Sequence, residues 1–239
     1  MNNFWDENVP FIPLLGIHHL IYIGLVVILL FLLISRYKEV KINSDIIRKW
    51  ILALLIGQQI LLYSWYIFEM GFDVSESLPL HISRISSLLG VVYLMTKNDK
   101  VLNVLFYFGL FAYGSFFYPQ RVYPFYHALG ISFFLNHAIT ILLPIFAAVA
   151  YEWRPQLKGA FKAYGWFIGY FVFVYFLNPL IDGNYFYLKY RPFFGYLSDS
   201  IYIMIVIIAT LGIFLLGYYL SKLVQSIVEV RVKLTTKKM

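Results

Sequence analysis

Ser83 and His137 are the side chains of this sequence best suited to moving an acyl group. An imidazole that takes the proton of a serine hydroxyl makes it a nucleophile toward an ester carbonyl, and fixed donors then hold the oxyanion. His81 and Asn136 stand beside the pair in sequence as orienting groups or oxyanion donors, and Arg84 follows Ser83 as a partner for a phosphate or carboxylate. This reading needs no cofactor. His19, His81, His137 and Asp199 allow a second chemistry, in which a zinc ion activates water against an ester or amide, though no short ligand spacing joins them. All these residues occur in or beside stretches that otherwise belong in hydrocarbon, where an ionisable residue marks a functional site by default.

The elements that must position them are membrane spans. The chain has 239 residues, 61% of them hydrophobic and only 13% charged, with a mean hydropathy of +0.75. A soluble domain is about 25% charged. Runs long enough for the roughly 20 residues a helix needs to cross a bilayer predict a bundle of seven transmembrane helices. Their approximate ranges are 14–34, 50–68, 78–96, 101–117, 126–150, 163–181 and 198–224. The intervening loops are too short for a soluble domain, so residues 1–239 read as one transmembrane domain.

Basic residues orient the bundle. With the N-terminus outside and the C-terminus cytoplasmic, Arg121, Lys189 and Arg191 fall in outer loops and Arg84 in a span, while the remaining Lys and Arg residues fall on the cytoplasmic side. The net charge of +7 is then a topology signal that also draws anionic inner-leaflet lipid. A nucleic-acid partner is excluded, because no basic domain exists to hold one. Met1 to Pro13 carries Asp6 and Glu7 and no positive region, so the first span does not read as a cleavable signal peptide. The absence of cysteine rules out disulfides and thiol catalysis.

Polar residues within the spans cluster toward the outer face, and all five histidines lie in that half. His18 and His127 fit at headgroup level. His137 lies about 15 Å down its helix, where an unpaired polar group is costly. Ser77 reads as the N-cap of the third span with Pro79 in its first turn. Helical spacing then puts Ser83, Ser86, Ser87 and Gly90 on one stripe, flanked by His81 and Arg84. Such a face must look into the bundle or a wet cavity, although Ser86 and Ser87 also suit close helix packing. No lysine sits inside a span, which excludes retinal chemistry, and phosphate-binding loops, HExxH helices and dinucleotide fingerprints are absent.

Several motifs together resemble the YwaF-like small integral membrane proteins of bacteria, related to a eukaryotic membrane acyltransferase acting on ether phospholipids. They are Gly16-Ile17-His18-His19-Leu20, Leu78-Pro79-Leu80-His81-Ile82-Ser83, Asn136-His137, Gly183-Asn184-Tyr185, Arg191-Pro192 and Leu197-Ser198-Asp199. The resemblance implies a lipid acyltransferase or acyl-ester hydrolase of the bacterial plasma membrane, related in fold to androgen-induced membrane hydrolases. It implies a membrane phospholipid or lysophospholipid as partner, with Arg84, His19, Asn184, Tyr185 and Arg191 at its headgroup. Relatives usually carry cysteine where Ser83 stands, and an unassisted hydroxyl is far less nucleophilic than a thiolate. Two alternatives stay open beside catalysis: a lipid-binding or transport protein using the same polar layer, and docking to a second copy or a partner membrane subunit.

Overall fold

The computed structural model describes residues 3–236, with side chains described through residue 226. The basic residues Arg231, Lys233, Lys237 and Lys238, assigned to the cytoplasmic end, have side chains outside the described residues. Helix α7 (Ala128–Ala150) is central, with 56% of its most apolar stretch buried, against 11% in α1 (Ile17–Ser35). Around it pack α3 (Ser44–Phe68), α5 (Ile82–Thr96) and α6 (Asp99–Phe117). The short α2 (Tyr37–Ile42) joins α1 to α3, and α4 (Val74–Ser77) is a single turn before α5. Outside α6 lie α8 (Leu157–Ile181) and α9 (Asp199–Thr236), joined through a 3-10 turn at Tyr185–Tyr187. The described residues are all helix and loop, without a strand.

Six of these helices, α1, α3, α6, α7, α8 and α9, are long and apolar enough to cross a bilayer. Their outer faces leave Phe31, Trp50, Phe68, Phe117, Trp166 and Leu180 exposed, which suits hydrocarbon and not water. The expected third span is the exception. Helix α5 has only 15 residues, about 22 Å against roughly 30 Å of hydrocarbon.

Its start departs from the expectation for a local reason. Ser77 closes α4 instead of capping α5, and Pro79 lies before the helix. A residue preceding proline is pushed out of the α region, and Leu78 is extended at φ −61°, ψ 151°. The helix resumes after His81, itself extended at φ −64°, ψ 135°, which becomes the N-cap.

Polar residues inside the bundle are paired across helices. Gln58 of α3 donates to Ser132 of α7 (2.7 Å) and accepts from Ser87 of α5 (3.3 Å), and Gln59 donates to Ser87 (2.6 Å). Such bonds tie helices together where lipid offers no competing partner. Tyr22 of α1 donates to the Tyr123 carbonyl (2.9 Å) beside Gly130 of α7. A Cβ on Gly130 would lie 1.9 Å from the Pro124 carbonyl oxygen and 2.6 Å from the Tyr22 hydroxyl, so only glycine permits this approach.

Candidate functional site

The turn entering α5 is built around one buried cation. Arg84 is 7% exposed, and it donates through Nη1 to the carbonyls of Glu76 (2.5 Å) and Leu78 (2.9 Å). Through Nη2 it reaches the Tyr66 hydroxyl and the Glu76 carboxylate (3.3 Å). Its guanidinium also lies 4.7 Å from the Tyr66 ring centre. Burial disfavours the Glu76 carboxylate, but hydrogen bonds and charge from His81 and Arg84 outweigh that and hold its pKa below the usual range. Arg84 thereby shapes the extended segment that carries His81, and it also borders a cavity between α5 and α7.

His81 donates its Nε2 proton to Glu76 (3.1 Å). A carboxylate on one ring nitrogen fixes the tautomer, so in the neutral ring Nδ1 is the acceptor. The ring packs edge-on against Tyr185 at 4.9 Å and forms no side-chain cap to the first turn of α5. Ser83, the second residue of that helix, has no hydrogen-bond partner for its hydroxyl among the described residues.

Across a cavity of about 670 Å³ stands α7. Ser83, His81, Arg84, Asn136, His137, Asn184 and Arg191 all border this one space, although they come from distant parts of the chain. His137 donates from Nδ1 to the Phe133 carbonyl (2.8 Å), which leaves Nε2 as its acceptor nitrogen. Its ring is held between Phe133 and Phe116, at centroid distances of 4.2 and 6.1 Å. Asn136 and Thr140 add polar groups on the same helix, and their side-chain oxygens Oδ1 and Oγ1 are buried without a partner. No hydrogen bond joins Ser83 to His137 among the described residues. Apolar side chains, among them Ile82, Phe108, Phe111, Phe133 and Leu129, complete the walls.

Two loops frame the cavity with cations. Arg191 donates to the Leu197 carbonyl (3.0 Å) and to Asp199, and stacks over Tyr202 at 4.2 Å. Arg121 is exposed at the border and has no ion-pair partner among the described residues. Asn184 accepts from the backbone amides of Lys189 and Tyr190, both at 2.9 Å, and so folds its own loop.

Two expected headgroup residues lie away from the cavity wall. Tyr185 is fully buried, donating to the Val74 carbonyl (2.8 Å) and accepting from the Leu78 amide (3.1 Å), so it braces the turn that holds His81. Burial pushes its phenol up to about 12. His19 accepts from the Leu15 amide (2.9 Å) and donates to the Phe116 carbonyl (2.6 Å), tying α1 to α6. His127 caps α7 and stacks on Tyr123 at 4.1 Å. Among the described residues no three His, Asp or Glu side chains converge to hold a metal. The zinc set of His19, His81, His137 and Asp199 is dispersed, with His19 engaged by backbone and Asp199 paired to Arg191.

Glu76, Tyr66, Thr140 and Arg121 border the same cavity and are not among the site residues expected from the sequence. Glu76 reads there as one acid of a short acidic loop, and Tyr66 as part of an aromatic helix end. Thr140 carried the one usable signal, standing four residues after Asn136 on the same helix face.

A model of the TMEM164 family, a membrane protein family, matches residues 14–218. No curated protein and no solved structure matches the chain.

Proposed function

The chain belongs to the TMEM164 family, and from that premise we propose that it is a membrane-embedded lipid acyltransferase or acyl-ester hydrolase. In this reading residues 1–239 form one membrane domain of seven crossings, α5 and the extended segment before it making the third, with the N-terminus outside. The cavity then opens toward the outer leaflet of the plasma membrane. Its substrate is a phospholipid or lysophospholipid, in keeping with the resemblance to YwaF-like proteins and to a eukaryotic ether-phospholipid acyltransferase. Ser83 is the nucleophile and His137 the general base, and Asn136 has its amide group free to hold an oxyanion. Arg121 and Arg191 meet the anionic headgroup.

The observation that carries this reading is a single cavity joining an unpartnered serine hydroxyl and a histidine with a fixed acceptor nitrogen, between apolar walls and a basic border. Its shape suits an amphiphile with an anionic end and an acyl ester. The test is covalent labelling by a fluorophosphonate probe in native membranes. Ser83→Ala is expected to abolish labelling, and a variant labelled like the wild type sinks the nucleophile assignment.

A second reading is a lipid-binding or transport protein that uses the same cavity without turnover. It is favoured by the missing hydrogen bond between Ser83 and His137. Under it the wild-type chain retains bound lipid on purification, and Ser83→Ala retains the same lipid.

A further inference from the structure

Two histidines border the cavity, and the structure holds them differently. His137 is fixed by a neutral carbonyl of its own helix, next to the unpartnered oxygens of Asn136 and Thr140. His81 is fixed by a carboxylate, and it stands at the N-cap position of α5, two residues before Ser83. An imidazole backed by a carboxylate is the stronger base, because the imidazolium that forms on proton uptake is stabilised in place. We propose that the Glu76–His81 pair, with Glu76 as the positioning residue, deprotonates Ser83, and that His137 serves the incoming acyl acceptor. The inference rests on the acyl-transfer reading but moves the base for Ser83 from His137 to His81, and keeps His137 as the base for the acceptor.

The steps balance. In the first half, the Ser83 proton passes to Nδ1 of His81 as Oγ attacks the acyl carbonyl carbon. The bond from that carbon to the lipid's alcohol oxygen then breaks, and the leaving alkoxide takes the proton back from His81. In the second half, a water or an alcohol gives its proton to Nε2 of His137 while its oxygen attacks the acyl-Ser83 carbonyl. The bond to Oγ breaks, and Oγ recovers a proton from His137. Asn136 Oδ1 and Thr140 Oγ1 are buried without partners on that side of the cavity, where an incoming hydroxyl would meet them.

The groups that face the His81 ring are Glu76 from α4, Arg84 from α5 and Tyr185 from the 3-10 turn. Tyr66 of α3 joins the same carboxylate (3.4 Å), and Tyr170 of α8 donates to the neighbouring Leu80 carbonyl (2.7 Å). Of these only Glu76 is an anion, so its removal has a signed effect on His81. Without it the imidazolium is less favoured, and the pH midpoint of any base-dependent step at His81 falls.

The test separates the halves with two probes on the full chain in detergent. Fluorophosphonate labelling reports the first, since Oγ bonds phosphorus, fluoride leaves and the proton goes to the base. Intact mass after p-nitrophenyl butyrate reports the second as butyryl-Ser83. His81→Asn is expected to slow labelling about 100-fold. Glu76→Gln is expected to slow it about tenfold and to lower its pH midpoint, with Glu76→Asp restoring most of the rate. His137→Asn is expected to take up the phosphonate but to accumulate butyryl-Ser83. The proposal is overturned if His137→Asn loses labelling while Glu76→Gln keeps the wild-type rate and midpoint. It is likewise overturned if His137→Asn releases butyrate at the wild-type rate. Should Glu76→Gln not fold as a monodisperse protein, the contrast between His81→Asn and His137→Asn decides the matter alone. A wild-type chain that takes up neither probe removes the acyl-transfer reading and this inference together, whereas the outcomes above leave that reading standing.

Discussion

Arg84 is a charge in an otherwise apolar segment, yet its donors go to the chain itself, to Glu76, Leu78 and Tyr66. A buried cation satisfied this way holds a turn in shape, and removing it strands both a carboxylate and two carbonyls. Arg84→Ala is therefore expected to lower stability by roughly 3 kcal/mol, read as a drop in thermal midpoint in detergent. The partner carboxylate adds a pH dependence. Glu76 has a folded-state pKa depressed below the usual carboxylate range, so its contribution is full above that range and is lost as pH falls through the folded value. The wild-type midpoint should fall on acidification below about pH 5, and Arg84→Ala should flatten that limb. Most of the polar side chains that border the cavity were legible in sequence because polar groups are conspicuous in apolar helices. Their partners were not: Glu76 lies in an exposed-looking loop, and only the fold turns its carboxylate toward His81.

At the level of elements, hydropathy carried six helices well, since length and apolar composition are enough to define a crossing. It failed at the start of α5, where a run of apolar letters conceals an extended segment. The deciding residue was Pro79, which removes helical freedom from Leu78 and so separates α4 from α5. Close packing was equally invisible, because a glycine in a transmembrane helix has no fixed meaning until its neighbour is known. Gly130 touches the Pro124 carbonyl and the Tyr22 hydroxyl. Gly130→Ala is expected to cost about 2 kcal/mol or more by forcing α1 and the 118–127 loop away from α7, seen as a lower thermal midpoint. Gly212→Ala, at a position with nothing within 4 Å, is the control and should leave the midpoint within a degree or two.

For the whole molecule, the cavity is bordered mostly from one end of the bundle: the end of α3, α4 and the segment after it, the start of α5, the second half of α6, the first half of α7 and the loops at 118–127 and 182–198. The proposed orientation puts that end outside, and the absence of cysteine makes it easy to check. Gly195→Cys in the loop after α8 should react with a membrane-impermeant maleimide on intact cells. Lys100→Cys, at the opposite end in α6, should react only after permeabilisation. The reverse pattern would turn the bundle over and place the chemistry in the inner leaflet.

His81 stands at the cap position, but Glu76 draws its ring away, and the amides of Ile82 and Ser83 are left without acceptors among the described residues. The positive end of the helix dipole therefore lies open at the first turn of α5, which carries Ser83. A thiolate at that point would be stabilised by this field outright, whereas a hydroxyl feels it only as charge develops on the atoms it attacks. Under the proposed chemistry the same backbone would serve either nucleophile, and exchanging sulfur for oxygen would move the field's main effect from the ground state to the transition state.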